Sequence, residues 1–265
     1  MTNKAHGPGP DTALVELQER LAAEADPGRR RALIDEALRP PEPQLLDTCV
    51  LQNLDWVDRQ LEANGPMVWD DVATAELVRQ YGTDLAHDLI DVGILYKRFE
   101  WYGGYPWLVC DAALEETGLL QGPKGRSVRD LLEFLVGHQE QWSNDAYPGI
   151  AQGLLLAKGR ARVSPLILRG LGVQSVEELH AADGPLSFLA DRGDRLVATH
   201  ALLSNIPVVL TTDRKTFWAR RDRLLDMGLQ VMRPSELLDV YEPYWKTLEA
   251  EFARRRAENP RRDRR

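Results

Sequence analysis

Residues 207–213 of the chain read PVVLTTD and form its clearest β-strand pattern. The run is apolar until two threonines and an aspartate, which is typical of a strand buried on both faces of a parallel sheet. The residues before it, 194–204, read DRLVATHALLS and carry apolar side chains at helical spacing. A helix that leads directly into a buried strand predicts an α/β fold.

Further strand candidates lie on both sides of this segment. Residues 44–51 read QLLDTCVL, residues 107–110 read WLVC and residues 230–233 read QVMR. Helical patterns separate these runs, at 54–61, 69–81, 84–100, much of 127–189, 215–227 and 235–256. Strands that alternate with helices predict a parallel central sheet.

The two ends of the chain look different from this body. Residues 12–38 predict two short helices interrupted at Pro27-Gly28, and residues 39–43, RPPEP, form a stiff linker. We therefore predict an N-terminal helical appendage with its linker at 1–43, the main domain at 44–240, and a C-terminal helix with a basic tail at 241–265.

Composition limits the functions that the chain can have. Of its 265 residues, 43% are hydrophobic and 28% charged, which excludes a disordered or disulfide-stapled protein. A formal net charge of -8 argues against broad electrostatic binding of nucleic acid. Cys49 and Cys110 lie in separate apolar runs without metal-ligand spacing. No stretch approaches the roughly 18–20 apolar residues of a membrane helix, so we expect a cytoplasmic protein without membrane contacts.

Acidic residues occur just beyond the predicted strands, where a parallel sheet binds its ligands. Two directly follow a strand, two lie in the helix after residues 107–110, and one begins the helix before residues 207–213. They are Asp47, Glu115, Glu116, Asp194 and Asp213. Carboxylates that converge at one edge repel each other unless cations are bound, and Mg²⁺ or Mn²⁺ prefers such oxygen ligands. A metal held in this way suits phosphodiester hydrolysis, because it activates water and stabilises charge on the phosphate.

Each of these acids also has a simpler interpretation. Asp47 and Asp213 could form turns after their strands, and Asp191 and Asp194 are both candidate helix caps. The glutamates could lie on a solvated helix face. Only the set, placed at one end of several strands, indicates a metal site.

Two segments resemble PIN-domain nucleases. Residues 45–51, LLDTCVL, are similar to the family's first strand, which closes with Asp followed by Ser or Thr. Residues 194–202, DRLVATHAL, and 206–213, IPVVLTTD, resemble its third and fourth acidic positions, and residues 231–234 resemble its closing strand. The resemblance implies a three-layer α/β/α sandwich with a parallel central sheet. It also implies a divalent-metal-dependent endoribonuclease.

The resemblance also implies roles for individual residues. The metal ligands and catalytic acids would be Asp47, Glu116, Asp194 and Asp213, with Glu115 as the alternative to Glu116. Thr48 and Thr212 would support the site by hydrogen bonding. The distances in sequence from Asp47 to Glu116 and from Glu116 to Asp194 exceed those of a compact PIN domain, so we predict helical insertions.

A basic segment follows Asp213 and could bind RNA. Its candidate contacts to phosphates and bases are Arg214, Lys215, Trp218, Arg220 and Arg221. An ordinary amphipathic helix with a solvated basic face is the alternative.

Two other functions remain open at this point. One is a non-catalytic PIN-like module that binds RNA or protein, and the other is a toxin-type nuclease restrained by an antitoxin. The aromatic-rich stretch from Trp69 to Trp107 could bind such an antitoxin, or it could form the core of an insertion. Glycine-rich nucleotide-binding loops, a nucleophile elbow and a zinc-protease motif are missing from the sequence. The sequence leaves the oligomeric state open.

Overall fold

The structure is a computed structural model that describes residues 10–54, 57, 71–102, 106–146 and 163–258. The chain divides into two compact units, Met1–Pro40 with Leu238–Arg265, and Pro41–Leu237. Its elements in chain order are α1 (Pro10–Ala23), α2 (Pro27–Leu38), β1 (Gln44–Leu46), α3 (48–54), α4 (Asp71–Tyr81), α5 (Thr83–Tyr102), β2 (Trp107–Leu108), α6 (Asp111–Gly118), α7 (Gly122–Ala146), α8 (Pro165–Gly170), α9 (Val176–His180), α10 (Arg192–Leu203), β3 (Val208–Leu210), a 3₁₀ helix (Trp218–Arg220), α11 (Arg221–Asp226), β4 (Gln230–Met232) and α12 (Pro234–Glu258).

The first unit contains α1, α2 and most of α12. The predicted pair of N-terminal helices is confirmed. Pro27 is the first residue of α2, and Asp26 caps this helix by accepting the Arg29 N–H at 2.8 Å. Glu251 of α12 is buried and accepts hydrogen bonds from three arginines, Arg30, Arg254 and Arg255. Hydrogen bonding from Arg254, with help from the other two, lowers the pKa of Glu251 to about 2.

The second unit is built around a small parallel sheet, so the predicted α/β fold with parallel strands is confirmed. Its four strands lie in the order β2-β1-β3-β4. Gln44 is paired with Trp107 on one side and with Val208 on the other, and Val208 is also paired with Gln230. The strands are apolar and almost wholly buried, as parallel strands covered on both faces must be.

The direction of the strand connections reverses between β1 and β3, and we call the place just beyond the carboxyl ends of these two strands, around Asp47 and Asp213, the crevice. The chain leaving β1 goes to β2 on one side, whereas the chain leaving β3 goes to β4 on the other side. Ligands of open parallel sheets bind where neighbouring connections diverge in this way, outside the carboxyl ends of the strands. Asp47 lies directly at this point, with its backbone N–H donating to the Leu210 carbonyl at 3.0 Å.

Aromatic residues of α5 pack against β2. The rings of Tyr96 and Phe99 lie 6.2 and 5.2 Å from the ring of Trp107, and all three residues are buried. These three rings therefore form part of the core of the second unit, whereas Trp101 is exposed. Trp69 and Tyr105 lie outside the described residues.

Most of the other predicted elements lie where they were predicted, but their lengths differ from the prediction. Each run predicted as a strand contains one, but in residues 44–51 the strand covers only Gln44–Leu46 and residues 48–51 belong to α3. The helices predicted at 84–100 and 194–204 correspond to α5 and α10. The helix predicted at 215–227 is instead a turn, a 3₁₀ helix and the short α11. Most of the helix predicted at 54–61 and the tail beyond residue 258 lie outside the described residues. Within the described part, no helix is long and apolar enough to cross a lipid bilayer.

A buried aspartate ties α5 to the segments that follow β3 and β4. Asp88 is fully buried, and its carboxylate pairs with Arg214 at 3.2 Å and with Arg233 at 2.7 Å. Burial raises the pKa of Asp88 to about 6, although Arg214 opposes the shift. Arg214 also pairs with the exposed Asp84, one helical turn before Asp88.

This arrangement predicts unequal effects for the two aspartates of α5. Asp88→Ala should lower the free energy of unfolding by about 3 kcal/mol, because it removes the buried carboxylate that pairs with Arg233 and leaves Arg214 only its exposed pair with Asp84. Asp84→Ala, which removes an exposed ion pair to the same Arg214, should cost less than about 1 kcal/mol. Urea unfolding at pH 8 measures both, and equal losses would contradict a bridging role for Asp88.

Candidate active site

Asp47 occupies the centre of the crevice at the end of β1. It is 6% exposed, and its Oδ2 accepts hydrogen bonds from the Thr211 hydroxyl at 2.7 Å and the Cys49 thiol at 3.0 Å. Burial raises the pKa of Asp47, and the nearby charge of Asp213 adds to this, while the hydrogen bonds oppose it. The carboxylate is thus held in place but poorly solvated.

Asp194 lies in the first turn of α10, facing the same crevice. Asp191 caps this helix by accepting the N–H groups of Gly193 and Asp194 at 2.6 and 3.3 Å. Of the two candidate caps, Asp191 and Asp194, the one that caps α10 is therefore Asp191. The side chain of Asp194 is free of this role. Its Oδ2 is buried and has no hydrogen-bond partner.

The protonation of Asp194 reflects its surroundings. Burial, reinforced by the charges of Asp47, Asp191 and Asp213, raises the pKa of Asp194 to about 7, against a hydrogen bond with Thr216. Three other carboxylates are therefore close enough to repel it. A cation would remove this repulsion.

Glu116 reaches the site from α6, and the contact is visible at Gly193. A Cβ atom at Gly193 would collide with Oε1 of Glu116 and lie 2.9 Å from Oδ1 of Asp191, so a larger residue there would displace these carboxylates. The neighbouring Glu115 is exposed. Of the two glutamates that the sequence left open, Glu116 is therefore the one that lies against Gly193 at the start of α10.

Asp213 has a structural contact as well as a place in the site. Its Oδ1 accepts the backbone N–H groups of Lys215 and Thr216 at 2.7 and 3.1 Å, and its Oδ2 accepts the Thr216 hydroxyl. Partial burial works against ionisation, but these hydrogen bonds together lower the pKa of Asp213. The turn-forming interpretation is therefore correct for Asp213, and it does not remove the carboxylate from the crevice.

The supporting threonine differs from the prediction. The hydroxyl that contacts Asp47 belongs to Thr211, whereas Thr212 accepts a hydrogen bond from Asn53 at 3.0 Å and the Thr48 hydroxyl is buried without a partner. Thr211 also accepts the Asp213 N–H at 2.9 Å. Side chains two residues apart in an extended chain point to the same side, so the spacing of Thr211 and Asp213 was the signal that could have identified it.

The predicted RNA-binding residues divide into two groups. Arg214 is paired with Asp84 and Asp88, and the Trp218 indole donates to Glu236 at 3.0 Å. The guanidinium of Arg221 lies 3.9 Å from the centre of the Trp218 ring, so a stacked base would have to displace it. The remaining two cations, Lys215 and Arg220, are exposed.

The residues present fit a cation in part. The carboxylates repel one another, and Oδ2 of Asp194 has no hydrogen-bond partner, so a cation would be favourable here. Carboxylate oxygens are also the ligands that Mg²⁺ prefers. However, in the part of the chain that the structure describes, no group of three or more His, Cys, Asp or Glu side chains is arranged so that it could hold a metal ion. The carboxylates thus approach one another without forming a finished coordination shell.

No protein-family model, curated protein or solved structure matches the chain.

The raised pKa of Asp194 predicts a pH-dependent effect of its replacement. The unfolded chain loses this proton near the ordinary pKa of 3.8, whereas the fold keeps it up to about pH 7, so stability falls as pH rises between these values. Asp194→Asn removes this cost. At pH 8 without divalent cations, it should stabilise the protein by roughly 2 kcal/mol, after allowance for solvent screening.

Thermal unfolding in EDTA at pH 4 and pH 8 measures this effect. The gain should be present at pH 8 and nearly absent at pH 4. Asp226→Asn, an exposed change in α11, is the control and should be neutral at both values. A gain of equal size at pH 4 and pH 8 would show that Asp194 is not the titrating group.

Proposed function

We propose that the protein is a Mg²⁺- or Mn²⁺-dependent endoribonuclease with a PIN-like α/β/α architecture. The observation that carries the proposal is the buried, unpartnered Oδ2 of Asp194, which lies among other carboxylates at the carboxyl edge of a parallel sheet. An isolated buried carboxylate oxygen is costly for a protein to maintain. Its presence in the crevice favours a role in binding a cation.

Four residues would hold the cation: Asp47, Glu116, Asp194 and Asp213. They come from the end of β1, from α6, from the start of α10 and from the residues after β3. When bound, the ion would supply an activated water and would stabilise charge on the scissile phosphate. The protein's own residues hold the carboxylates, with Thr211 and Cys49 on Asp47 and with the Asp213–Thr216 turn on Asp213.

RNA would bind through a small number of contacts. The net charge of -8 does not suit a broad electrostatic surface, so the exposed Lys215 and Arg220, just after Asp213, are the proposed phosphate contacts. Arg214 and Trp218 instead hold this segment in place within the second unit, through Asp88 of α5 and Glu236 of α12. Their contact with RNA stays a prediction.

The first test is cleavage of single-stranded RNA by the purified protein with Mn²⁺. Asp47→Asn and Asp194→Asn should reduce the cleavage rate on the order of 100-fold or more, because each removes a ligand charge while keeping the side-chain shape. Asp213→Asn should do the same while keeping the Oδ1 that caps the turn. Asp226→Asn is the matched control and should cleave like the wild type. Cleavage that survives all three site changes would assign the activity to another site or to a contaminant.

A second test uses the adjacent glutamates of α6. Glu116→Gln should lower the cleavage rate strongly, because the Glu116 carboxylate lies against Gly193 in the first turn of α10, the turn that carries Asp194. Glu115→Gln makes the same substitution at the exposed neighbouring residue and should have little effect on the cleavage rate. A loss confined to Glu115→Gln would reverse the assignment.

A non-catalytic RNA- or protein-binding module is the second candidate. It is favoured by the fact that the described residues contain no group of three acids, histidines or cysteines arranged to hold a metal. It is also favoured by the hydrogen bonds that already occupy Asp47 and Asp213. RNA binding that is unchanged by EDTA, without cleavage in Mn²⁺, would support this candidate. The toxin-type nuclease remains a prediction, tested by growth arrest on expression that a neighbouring gene product relieves.

A further inference from the structure

We propose that Cys49 is a positioning residue whose thiol holds the Asp47 carboxylate and thereby sets the affinity of the site for a divalent cation. The inference rests on the proposed function. It concerns a residue that the sequence placed only among the apolar side chains of residues 45–51.

The thiol makes the same kind of connection as the Thr211 hydroxyl. Thr211 accepts the Asp213 N–H at 2.9 Å and donates to Oδ2 of Asp47 at 2.7 Å. Cys49 accepts the Thr212 N–H at 3.3 Å and donates to the same Oδ2 at 3.0 Å. Two parallel bridges thus join the end of β1 to the residues after β3.

The two bridging groups also contact each other, with the Cys49 sulfur 3.4 Å from the Thr211 hydroxyl oxygen. Both therefore converge on one carboxylate oxygen and limit the rotation of the Asp47 carboxylate. Groups that orient a metal ligand in this way commonly change metal affinity by about 10–100-fold when they are removed.

The thiol is suited to donate rather than to react. Its sulfur lies within hydrogen-bond distance of the Asp47 carboxylate, the Thr212 N–H and the Thr211 hydroxyl. All three contacts lie at the ends of β1 and β3. The geometry therefore assigns Cys49 a role in holding the ligand, rather than in nucleophilic attack.

The experiment measures Mn²⁺ binding by isothermal titration calorimetry in the full chain without RNA. Cys49→Ala should weaken the affinity about 10-fold, while Cys49→Ser, which keeps a donor, should stay within about 2-fold of the wild type. Cys49→Val fills similar space without a donor and should show the same loss as Cys49→Ala, and it replaces the alanine variant if that variant unfolds. Cys110→Ala is the control, since Cys110 is the chain's other cysteine and lies buried at the start of α6, and this variant should bind Mn²⁺ like the wild type.

The outcomes separate this inference from the proposed function. If the wild type binds Mn²⁺ and the Cys49→Ala and Cys49→Val variants bind it equally well, the inference is overturned and the metal site stands. If the wild type binds no Mn²⁺, the proposed function fails and the positioning role falls with it. Equal weakening in Cys49→Ser and Cys49→Ala would also overturn the inference, because it would show that the donor is not what matters.

A second measurement tests the contact itself without metal. In EDTA, Cys49→Ala should lower the melting temperature more in the wild type than in the Asp47→Ala variant, because the hydrogen bond is already lost in the latter. Additive shifts would show that the thiol contributes nothing through Asp47.

Discussion

The parallel pairing of β1 with β3 is the constraint on which the candidate site depends. It places Asp47 beside Leu210, so that the next residue, Thr211, donates its hydroxyl to the Asp47 carboxylate. Every hydrogen bond between the two strand ends follows from this register. A shift of one residue would turn Thr211 away from Asp47 and remove the bridge between them.

This register brings acidic residues together where there is little water, and the fold treats them unequally. Asp47 and Asp213 receive hydrogen bonds from side chains and backbone, whereas the Oδ2 of Asp194 has no partner. Burial and the neighbouring carboxylates raise the pKa of Asp194, whereas hydrogen bonds lower the pKa of Asp213 despite its partial burial. A protein that only needed turns and helix caps would not have to keep Asp194 in this position, because Asp191 already caps α10. This asymmetry is the main physical argument for a bound cation.

Local patterns in the sequence were sufficient for the parallel sheet and for the acids at its edge. The apolar runs that end at Asp47 and Asp213 predicted strands and turns because burial on both faces requires such runs. The residues that contact these acids could not be predicted in the same way, because their roles depend on contacts between segments that are distant in the sequence. Cys49 reads as one more small apolar residue, and its role depends on a contact with residues more than 160 positions away. The choice between Glu115 and Glu116 likewise depends on where α6 meets Gly193. The pairing of Asp88 with Arg214 and Arg233 joins α5 to the segments after β3 and β4, and nothing in the sequence near any of the three residues signals it.

Anomalous diffraction from crystals grown with Mn²⁺ would reveal whether the Asp194 carboxylate faces a bound cation. The proposed metal site predicts an anomalous peak within coordination distance of Asp194 and at least two of Asp47, Glu116 and Asp213, with their side chains drawn together around it. A crevice without an anomalous peak at saturating Mn²⁺, with the Asp194 Oδ2 still unpartnered, would contradict it.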